Sequence, residues 1–459
     1  MAKRPPIQLE LDLPLPGRGE APRSDTTEVE AVTVTRTDES PARADRLMEA
    51  ICAWENVETA ARAVMRNKGA PGIDGMTVKE LPDVLKERWP QIARELVEGR
   101  YRPQPVKRVR IPKPDGGERA LGIPAVIDRM IQQAILQRLQ PEWDATFSEH
   151  SFGFRPGRSA HQAVAAAQAY VIAGHEHVVD IDLAKFFDRV NHDRLMAQVA
   201  KRVTDKRVLR LIRAFLTAGA LDGDRLETSR EGTPQGGPLS PLLANLVLDE
   251  LDRELERRGL CFVRYADDCN IYLRSAKAAR RVMASVTRFL ERRLKLKVNE
   301  AKSAVDRPWK RTFLGFTLKE APGFPRAVSP QALRRFKERL RQVTGRHRGV
   351  TLKRMIAELN PILRGWAGYF GFSEGHELDT LNGWIRRRLR CIVWVQWKTR
   401  RRRFQELRRA GVSEKTVYAA IMSCKGPWRI AASEALHRAL RNRTFAQRGL
   451  FTMVHHAVA

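Results

Sequence analysis

The chain has 459 residues, about three times the ~150 of an average domain, and 83 Lys and Arg against 53 Asp and Glu give it a formal charge of +30. With 43% hydrophobic residues it can bury a sizeable core, which excludes wholesale disorder, and the cation excess points to an anionic partner. The N-terminus Met1-Ala-Lys-Arg-Pro lacks an apolar signal core, no charge-free apolar run reaches 18 residues, and the five cysteines are never closer than eight residues, so secretion, membrane spanning, a disulfide framework and a paired-cysteine zinc site are not expected.

Residues 1–44, with six Lys/Arg and eight Asp/Glu among Pro, Ser and Thr and no sustained period, read as a disordered tail. Helical spacing follows at 45–66, 79–98, 124–140, 159–173, 206–217, 240–258 and 276–294, interleaved with strand-like runs at 106–112, 177–183, 261–265, 269–273 and 311–316. The alternation predicts an α+β core. A boundary is placed near Ser329-Pro330, beyond which the spacing is almost wholly helical and residues 331–459 hold 28 Lys/Arg against eight Asp/Glu. Trp366, Tyr369, Phe370, Trp384, Trp394 and Trp397 are interleaved with those cations.

The stretch Cys261-Phe-Val-Arg-Tyr-Ala-Asp-Asp-Cys-Asn-Ile-Tyr-Leu273 is two β-rich runs around a tight turn that holds Asp267 and Asp268. Two carboxylates at a hairpin tip repel one another unless a cation sits between them. A second run, His177-Val-Val-Asp-Ile-Asp-Leu183, is apolar and β-branched until it ends in Asp182. Two strands ending in carboxylates suit a pair of Mg²⁺ ions about 3.5 to 4 Å apart that activate a hydroxyl and neutralise a leaving pyrophosphate. Asp182 and Asp267 are the best ligands on this reading, and Asp268 is weaker because neighbouring strand residues face opposite ways.

Tyr265-Ala-Asp-Asp268 resembles the signature of reverse transcriptases, and further blocks occur in order along the chain: Gly69-Ala-Pro-Gly-Ile-Asp-Gly75, Ile111-Pro-Lys-Pro-Asp-Gly-Gly-Glu-Arg-Ala-Leu-Gly-Ile-Pro124, Ser151-Phe-Gly-Phe-Arg-Pro-Gly-Arg-Ser159, Phe186-Phe-Asp-Arg-Val-Asn-His192, Thr233-Pro-Gln-Gly-Gly-Pro-Leu-Ser-Pro241 and Phe313-Leu-Gly-Phe316. Arg364-Gly-Trp-Ala-Gly-Tyr-Phe370 and Gly426-Pro-Trp-Arg429 look like a maturase region. Together, over about residues 45–450, they resemble the bacterial group II intron-encoded reverse transcriptase/maturase family.

That resemblance implies a right-hand polymerase: fingers and palm at 45–318, a helical thumb within 330–405, and a basic RNA-binding maturase region at 331–450 overlapping the thumb. It implies RNA-directed DNA polymerase activity, with assistance to splicing and retrohoming of an intron RNA. Partners would be that RNA as template, a DNA primer or target and deoxynucleoside triphosphates, in the bacterial cytoplasm, in an oligomeric state the sequence leaves open. Asp182, Leu183, Asp267 and Asp268 fall at the site of two Mg²⁺ ions. Lys113, Arg119, Phe187, Gln235 and Lys302 match nucleotide-binding positions: Phe187 under the sugar, where it would clash with a 2′-hydroxyl, and Lys302 as a general acid for pyrophosphate. Arg155 and Arg158 would hold template phosphates; Phe313, Leu314 and Gly315 would grip the primer end.

In the basic region Arg386, Arg387, Arg388, Arg400, Arg401, Arg402 and Arg403 are candidate RNA contacts, since like charges this dense need an anion to neutralise them. The tryptophans among them suit a packed core better than base stacking. His161 and His192 have no partner at metal-ligand spacing. Only nine residues follow Leu450; neither they nor any cysteine pair could build a His-Asn-His nuclease, so the short class without it is expected. Two other readings stay open: a related reverse transcriptase serving defence or CRISPR-associated acquisition, and a non-catalytic RNA-binding splicing factor.

Overall fold

The computed structural model describes residues 46–112, 118–223, 225–227, 231–233 and 236–455. Lys113, Gln235, residues 115–117 of the 111–124 block and the 1–44 tail lie outside them. The described chain divides into two compact units, one running to Asp306 and the other starting at Arg307.

The first unit is α+β. Its elements in order are α1 (Leu47–Cys52), α2 (Trp54–Arg66), α3 (Leu81–Val97), β1 (Val106–Pro112), β2 (Glu118–Ile123), α4 (Val126–Asp144), α5 (Ala160–Ile172), β3 (His177–Ile181), α6 (Phe186–Arg189), α7 (His192–Val199), α8 (Lys206–Thr217), β4 (Ala220–Asp222), β5 (Arg225–Glu227), α9 (Ser240–Arg257), β6 (Cys261–Tyr265), β7 (Asp268–Leu273), α10 (Ala276–Phe289) and β8 (Ala304–Asp306). Two four-stranded sheets result. One has the order β2-β1-β4-β5 and the other β6-β7-β3-β8, the latter antiparallel throughout.

Helix limits follow local chemistry. Ala53, with φ −55° and ψ 134°, interrupts the single helix expected over 45–66 and separates α1 from α2. Helix α4 runs past the expected end at 140, through Pro141, to Asp144, with Leu139 and Trp143 on either side of the proline both buried. At α5 the Ser159 hydroxyl accepts from the Gln162 amide at 3.2 Å while the Gln162 side chain accepts from the Ser159 amide at 2.8 Å, a reciprocal cap on two otherwise orphan donors. Beyond Phe289 the last turn of the expected 276–294 helix widens into a π-turn, Leu290–Leu294, closed by Lys295 at φ +57°. α5, α9 and α10 pack against the β6-β7-β3-β8 sheet and α2 against α4, within one continuous core in which Val179, Ile181, Phe262 and Ile271 are fully enclosed.

The second unit holds a two-stranded sheet, β9 (Phe316–Leu318) and β10 (Arg326–Val328), then α11 (Pro330–Val343), α12 (Leu352–Phe370), α13 (Glu377–Gln396), α14 (Arg400–Arg409), α15 (Glu414–Ile421), α16 (Pro427–Ile430), α17 (Glu434–Ala439) and α18 (Asn442–Gln447). Ser329 and Pro330 are the N-cap and first residue of α11, with the Ser329 hydroxyl accepting from the Ala332 amide. The tryptophans divide the surface from the core: Trp366 stacks on Phe336 at 4.2 Å between ring centres, Trp394 is buried, and Trp397 is half-buried. The strand expected at 311–316 is displaced to 316–318. Leu314 and Gly315 take φ +51° and +79°, so residues 313–316 turn instead of extending.

Candidate active site

β3 is one of the two inner strands of the β6-β7-β3-β8 sheet and keeps Val178, Val179 and Ile181 buried. The register pairs Ile181 with Cys269 and Tyr265 with Asp268, so one further step along β3 brings Asp182 level with Asp268 at the same sheet edge. Asp267 sits in the two-residue turn beside them. The expected trio of carboxylates therefore shares one edge, set by strand pairing rather than by a loop.

The turn is strained, and buried groups hold it. Ala266 adopts φ +56°, a left-handed conformation that a residue with a Cβ adopts only where its surroundings impose it. The fully buried Arg264 guanidinium donates from Nη1 to the Ala266 carbonyl at 2.9 Å and to Asn245 Oδ1 at 3.0 Å, and from Nε to Asp252 Oδ1 at 2.7 Å. Asn245 in turn donates to the Gly153 carbonyl at 2.9 Å. A Cβ on Gly153 would lie 2.2 Å from the Ala266 nitrogen, so only glycine lets the 151–159 block close against the hairpin.

Asp182 is gripped from the following segment. Its Oδ1 accepts from Asn299 Nδ2 at 3.0 Å, its backbone carbonyl from the Asn299 amide at 2.8 Å, and Lys302 Nζ stands 3.9 Å from Oδ2. Leu183 forms a bridge with Val298. Asp268 is exposed at the first position of β7, yet protein packs closely enough around its carboxyl to strip part of its hydration. That desolvation, then the charges of Asp267, Asp182 and Asp180, pushes its carboxyl up to about 7, with Lys302 acting the other way.

As the side chains stand, no three His, Cys, Asp or Glu groups among the described residues converge at metal-binding distance. The donor chemistry nonetheless fits a hard divalent cation: oxygen ligands only, on adjacent backbone positions, with a mutual repulsion that a cation would relieve.

Among the other expected residues, Phe186 is buried and Phe187 half-buried, their rings edge to face at 5.2 Å, which gives one core ring and one ring available to a ligand. The Thr233 amide donates to the Phe187 carbonyl at 2.6 Å and Gly232 to Val190 at 2.7 Å, which seats the start of the Thr233 block against this segment. His192 Nε2, 2.6 Å from the Gly232 carbonyl, belongs to that packing. Arg119 is paired through its backbone with Ile111 on β1; its side chain, with Lys113 and Gln235, lies outside the described residues.

Arg155 corrects the sequence reading. It is buried, with Nε on Asp144 Oδ1 at 2.8 Å, Nη1 on the Ser148 and Ser151 carbonyls at 2.5 and 2.9 Å and Nη2 on the Asp144 carbonyl and Oδ2 at 2.8 and 3.4 Å, so all five donors staple its own loop and none is left for a template phosphate. Arg158 is half-buried over the Phe152 ring and donates to the Glu149 carbonyl. In the second unit Phe313, Leu314 and Gly315 form a turn tip held by Tyr369, whose hydroxyl donates to the Leu314 carbonyl at 2.8 Å, while Phe316 is core.

The family described as reverse transcriptase (RNA-dependent DNA polymerase) matches residues 111–318, and the group II intron maturase-specific domain matches 333–411. Protein YkfC of Escherichia coli K12 is 34% identical over 313 residues, covering 60% of this chain and 82% of YkfC. The chain belongs to the bacterial group II intron reverse transcriptase/maturase family. It is an RNA-directed DNA polymerase by class. Group II intron-encoded protein LtrA of Lactococcus lactis is 37% identical over 188 residues, 41% of this chain but 31% of LtrA, so this reverse transcriptase spans under a third of that relative. A Cas6-RT-Cas1–Cas2 complex is 25% identical with a TM-score of 0.35 over 53% of this chain and 42% of that one, a likeness too slight to carry an argument. No helix among the described residues is long and apolar enough to cross a membrane.

What sequence reasoning missed in this reverse transcriptase is the scaffold under the turn: Arg264, Asp252, Asn245 and Gly153. A charge inside a strand and another on a helix read singly as solvent-facing; their pairing appears only once β6 lies on α9.

Proposed function

We propose that the chain copies RNA into DNA at the β3/β6-β7 edge and uses its helical, arginine-rich unit to bind the intron RNA, assisting splicing and retrohoming in a bacterial cytoplasm. One observation carries the polymerase site: a rigid antiparallel register sets Asp182 level with Asp268 and beside Asp267, where their charges oppose one another.

In this reading Asp182, Leu183, Asp267 and Asp268 hold two Mg²⁺ ions, which supply activation of the primer 3′-hydroxyl and neutralisation of the leaving pyrophosphate. Arg264 and Asp252 keep the turn from relaxing when the ligands are charged. Phe187 presents its half-buried ring to the sugar and excludes a 2′-hydroxyl. Lys302, on the Asp182 side of the site, donates a proton to the departing pyrophosphate. Lys113, Arg119 and Gln235 bind the triphosphate, Arg158 the template, and the Phe313–Gly315 turn the primer end.

RNA binding is supported by the α14 start. Arg400, Arg401, Arg402 and Arg403 occupy the first turn, where the helix dipole is itself positive, an arrangement that an anion would stabilise. Arg400, Arg401 and Arg402 are exposed, whereas Arg403 stacks on Trp394 at 4.3 Å and has a packing role too. Arg386, Arg387 and Arg388 are half-buried on α13.

Primer extension on an RNA template tests the site. Asp267→Ala is expected to lower extension by at least about a hundredfold, the scale for loss of a preorganised electrostatic group, with RNA affinity within a few-fold of the parent; readily measurable synthesis by this variant would remove the metal assignment.

A further inference from the structure

A cavity of about 270 Å³ opens in the second unit between the end of α11, the segment after it, α13 and α16. Arg341, Arg346 and Arg388 line it together with the indoles of Trp384 and Trp428, and no carboxylate among the described residues lines it. Two guanidiniums lie over the Trp384 ring, Arg388 at 5.1 Å and Arg341 at 5.9 Å from its centre. The second wall is fixed as well: Arg387 stacks on Trp428 at 4.3 Å and donates through Nη2 to the Trp428 carbonyl at 3.1 Å.

The charges here are held against one another. Thr344 accepts from Arg388 Nε at 2.6 Å through its hydroxyl and from Nη2 at 3.1 Å through its carbonyl, so this guanidinium cannot swing out to relieve the repulsion. Burial, then the nearby charges of Arg341 and Arg346, weakens its hold on its proton. Three guanidiniums converging without a carboxylate make a receptor for an anion with several oxygens, and phosphate matches their forked donors. The indoles of Trp384 and Trp428 line the same cavity and offer aromatic surface for a planar ring wherever a guanidinium does not already cover it. The volume lies just under the roughly 300 Å³ at which pockets for drug-sized ligands begin. It is on the scale of one base with one phosphate.

We propose that this cavity receives a single unpaired nucleotide of a bound RNA strand, its phosphate on Arg341, Arg346 and Arg388 and its base against Trp384 or Trp428. The identity of the strand rests on the RNA-binding reading above; the preference for a nucleoside monophosphate rests on the cavity alone. Such a pocket reads an extruded base by shape and stacking, and so anchors the protein at a bulge or loop rather than along a helix.

The test uses the full chain with adenosine 5′-monophosphate as probe, in the presence of EDTA so that metal-dependent nucleotide binding elsewhere is silent. Tryptophan fluorescence should quench saturably. Adenosine and inorganic phosphate, each filling half of the site, should bind about tenfold more weakly or worse. Arg341→Gln/Arg346→Gln, two exposed positions, should weaken the monophosphate about tenfold while melting behaviour and extension of a pre-annealed primer stay as in the parent; Trp428→Leu supplies a second variant that removes the stacking face and keeps the cations. The same arginine variant should bind a looped RNA more weakly but a blunt duplex equally well. Phosphate alone binding as tightly as the monophosphate, or unchanged monophosphate affinity in both variants, would overturn the pocket. A parent protein that takes up the monophosphate yet binds no structured RNA would overturn the RNA partner instead, so the two failures are told apart.

Discussion

The palm edge and the arginine-rich unit both crowd like charges, with opposite sign and by opposite means. At the palm three carboxylates sit at the ends of strands and in the turn between two of them, where Tyr265–Asp268 and Ile181–Cys269 pairing fixes the register, and a fully buried Arg264–Asp252 ion pair braces the hairpin. In the C-terminal unit the cations sit on helix surfaces, several of them stacked on tryptophans, as Arg387 on Trp428 and Arg403 on Trp394. A focal site needs rigidity, because a small misplacement removes its chemistry. A diffuse site needs number, because each phosphate contact contributes a salt-screened increment. Substitution should therefore act abruptly in the first region and by degrees in the second.

The largest expected effect lies under the hairpin. Asp252→Ala leaves the Arg264 charge buried and unpaired, and should cost about 3 to 5 kcal/mol of stability together with primer extension. Denaturant unfolding and extension on the same preparation check this. Intact stability with extension lost would mean that Asp252 acts on the chemistry directly and would blur the division between scaffold and site.

Acid–base behaviour should also separate the units. Asp128 is buried, accepts from the Tyr101 hydroxyl at 2.8 Å and from the Gln104 amide at 3.0 Å, and burial pushes its carboxyl up to about 6. A folded value above the unfolded one means the folded chain favours the protonated form. Its contribution is thus complete below the unfolded value near 3.8 and lost as pH rises through about 6. Asp128→Asn cannot ionise; its one oxygen can still accept from the Gln104 amide, and its NH2 can donate to the Tyr101 hydroxyl once that hydroxyl turns from donor to acceptor. Relative to the parent it should gain stability on the order of 2 to 3 kcal/mol between pH 4 and pH 8, measured by denaturant unfolding of both chains at the two pH values; parallel curves for both would show that Asp128 ionises without cost.

Sugar selection is a smaller matter. Phe187→Ala should admit ribonucleotides, raising their use relative to deoxynucleotides about tenfold. It should destabilise by less than the roughly 3 to 5 kcal/mol typical of a core phenylalanine, since Phe187 is only half-buried beside Phe186. Single-nucleotide incorporation and a melting curve on one variant decide; large destabilisation with unchanged selection would return this ring to the core.

The mildest effect falls on α14. Replacing Arg400 to Arg403 with Gln should lower the salt slope of RNA binding by roughly 0.7 to 0.9 for each phosphate that the variant no longer neutralises, and spare extension of a pre-annealed primer. Binding against salt concentration measures it. An abrupt loss of all binding would make this cluster as focal as the palm.

How much of this is legible in the sequence depends on the length over which a pattern can run. The carboxylate edge can be read because the β-rich runs of β3 and β6 are each followed within two residues by aspartate, and the expected strand 261–265 coincides with β6. The three-residue strands β4, β5, β8 and β10 are too short to show alternation, and the helices α6 and α7 follow a left-handed Lys185 that breaks any running period. Arg155 misleads for a related reason. A loop arginine looks like a phosphate contact until Asp144 and the Ser151 carbonyl are seen to surround it. Trp366 and Trp394 can be assigned to the core because they recur at helical spacing among apolar neighbours.

The strand order β6-β7-β3-β8 also sets a timetable for synthesis. As the chain leaves the ribosome, Asp182 emerges on β3 well before β7, its neighbour on the carboxylate side, and β8 follows last on the other flank. Pairings this distant in sequence close slowly. Until the Asn299 and Lys302 segment is made, Asp182 lacks the groups that orient it. A nascent reverse transcriptase is therefore inert until about two-thirds of it has been translated, and a ribosome paused before residue 306 would carry a fingers-and-palm fragment with its acidic edge unfinished and exposed.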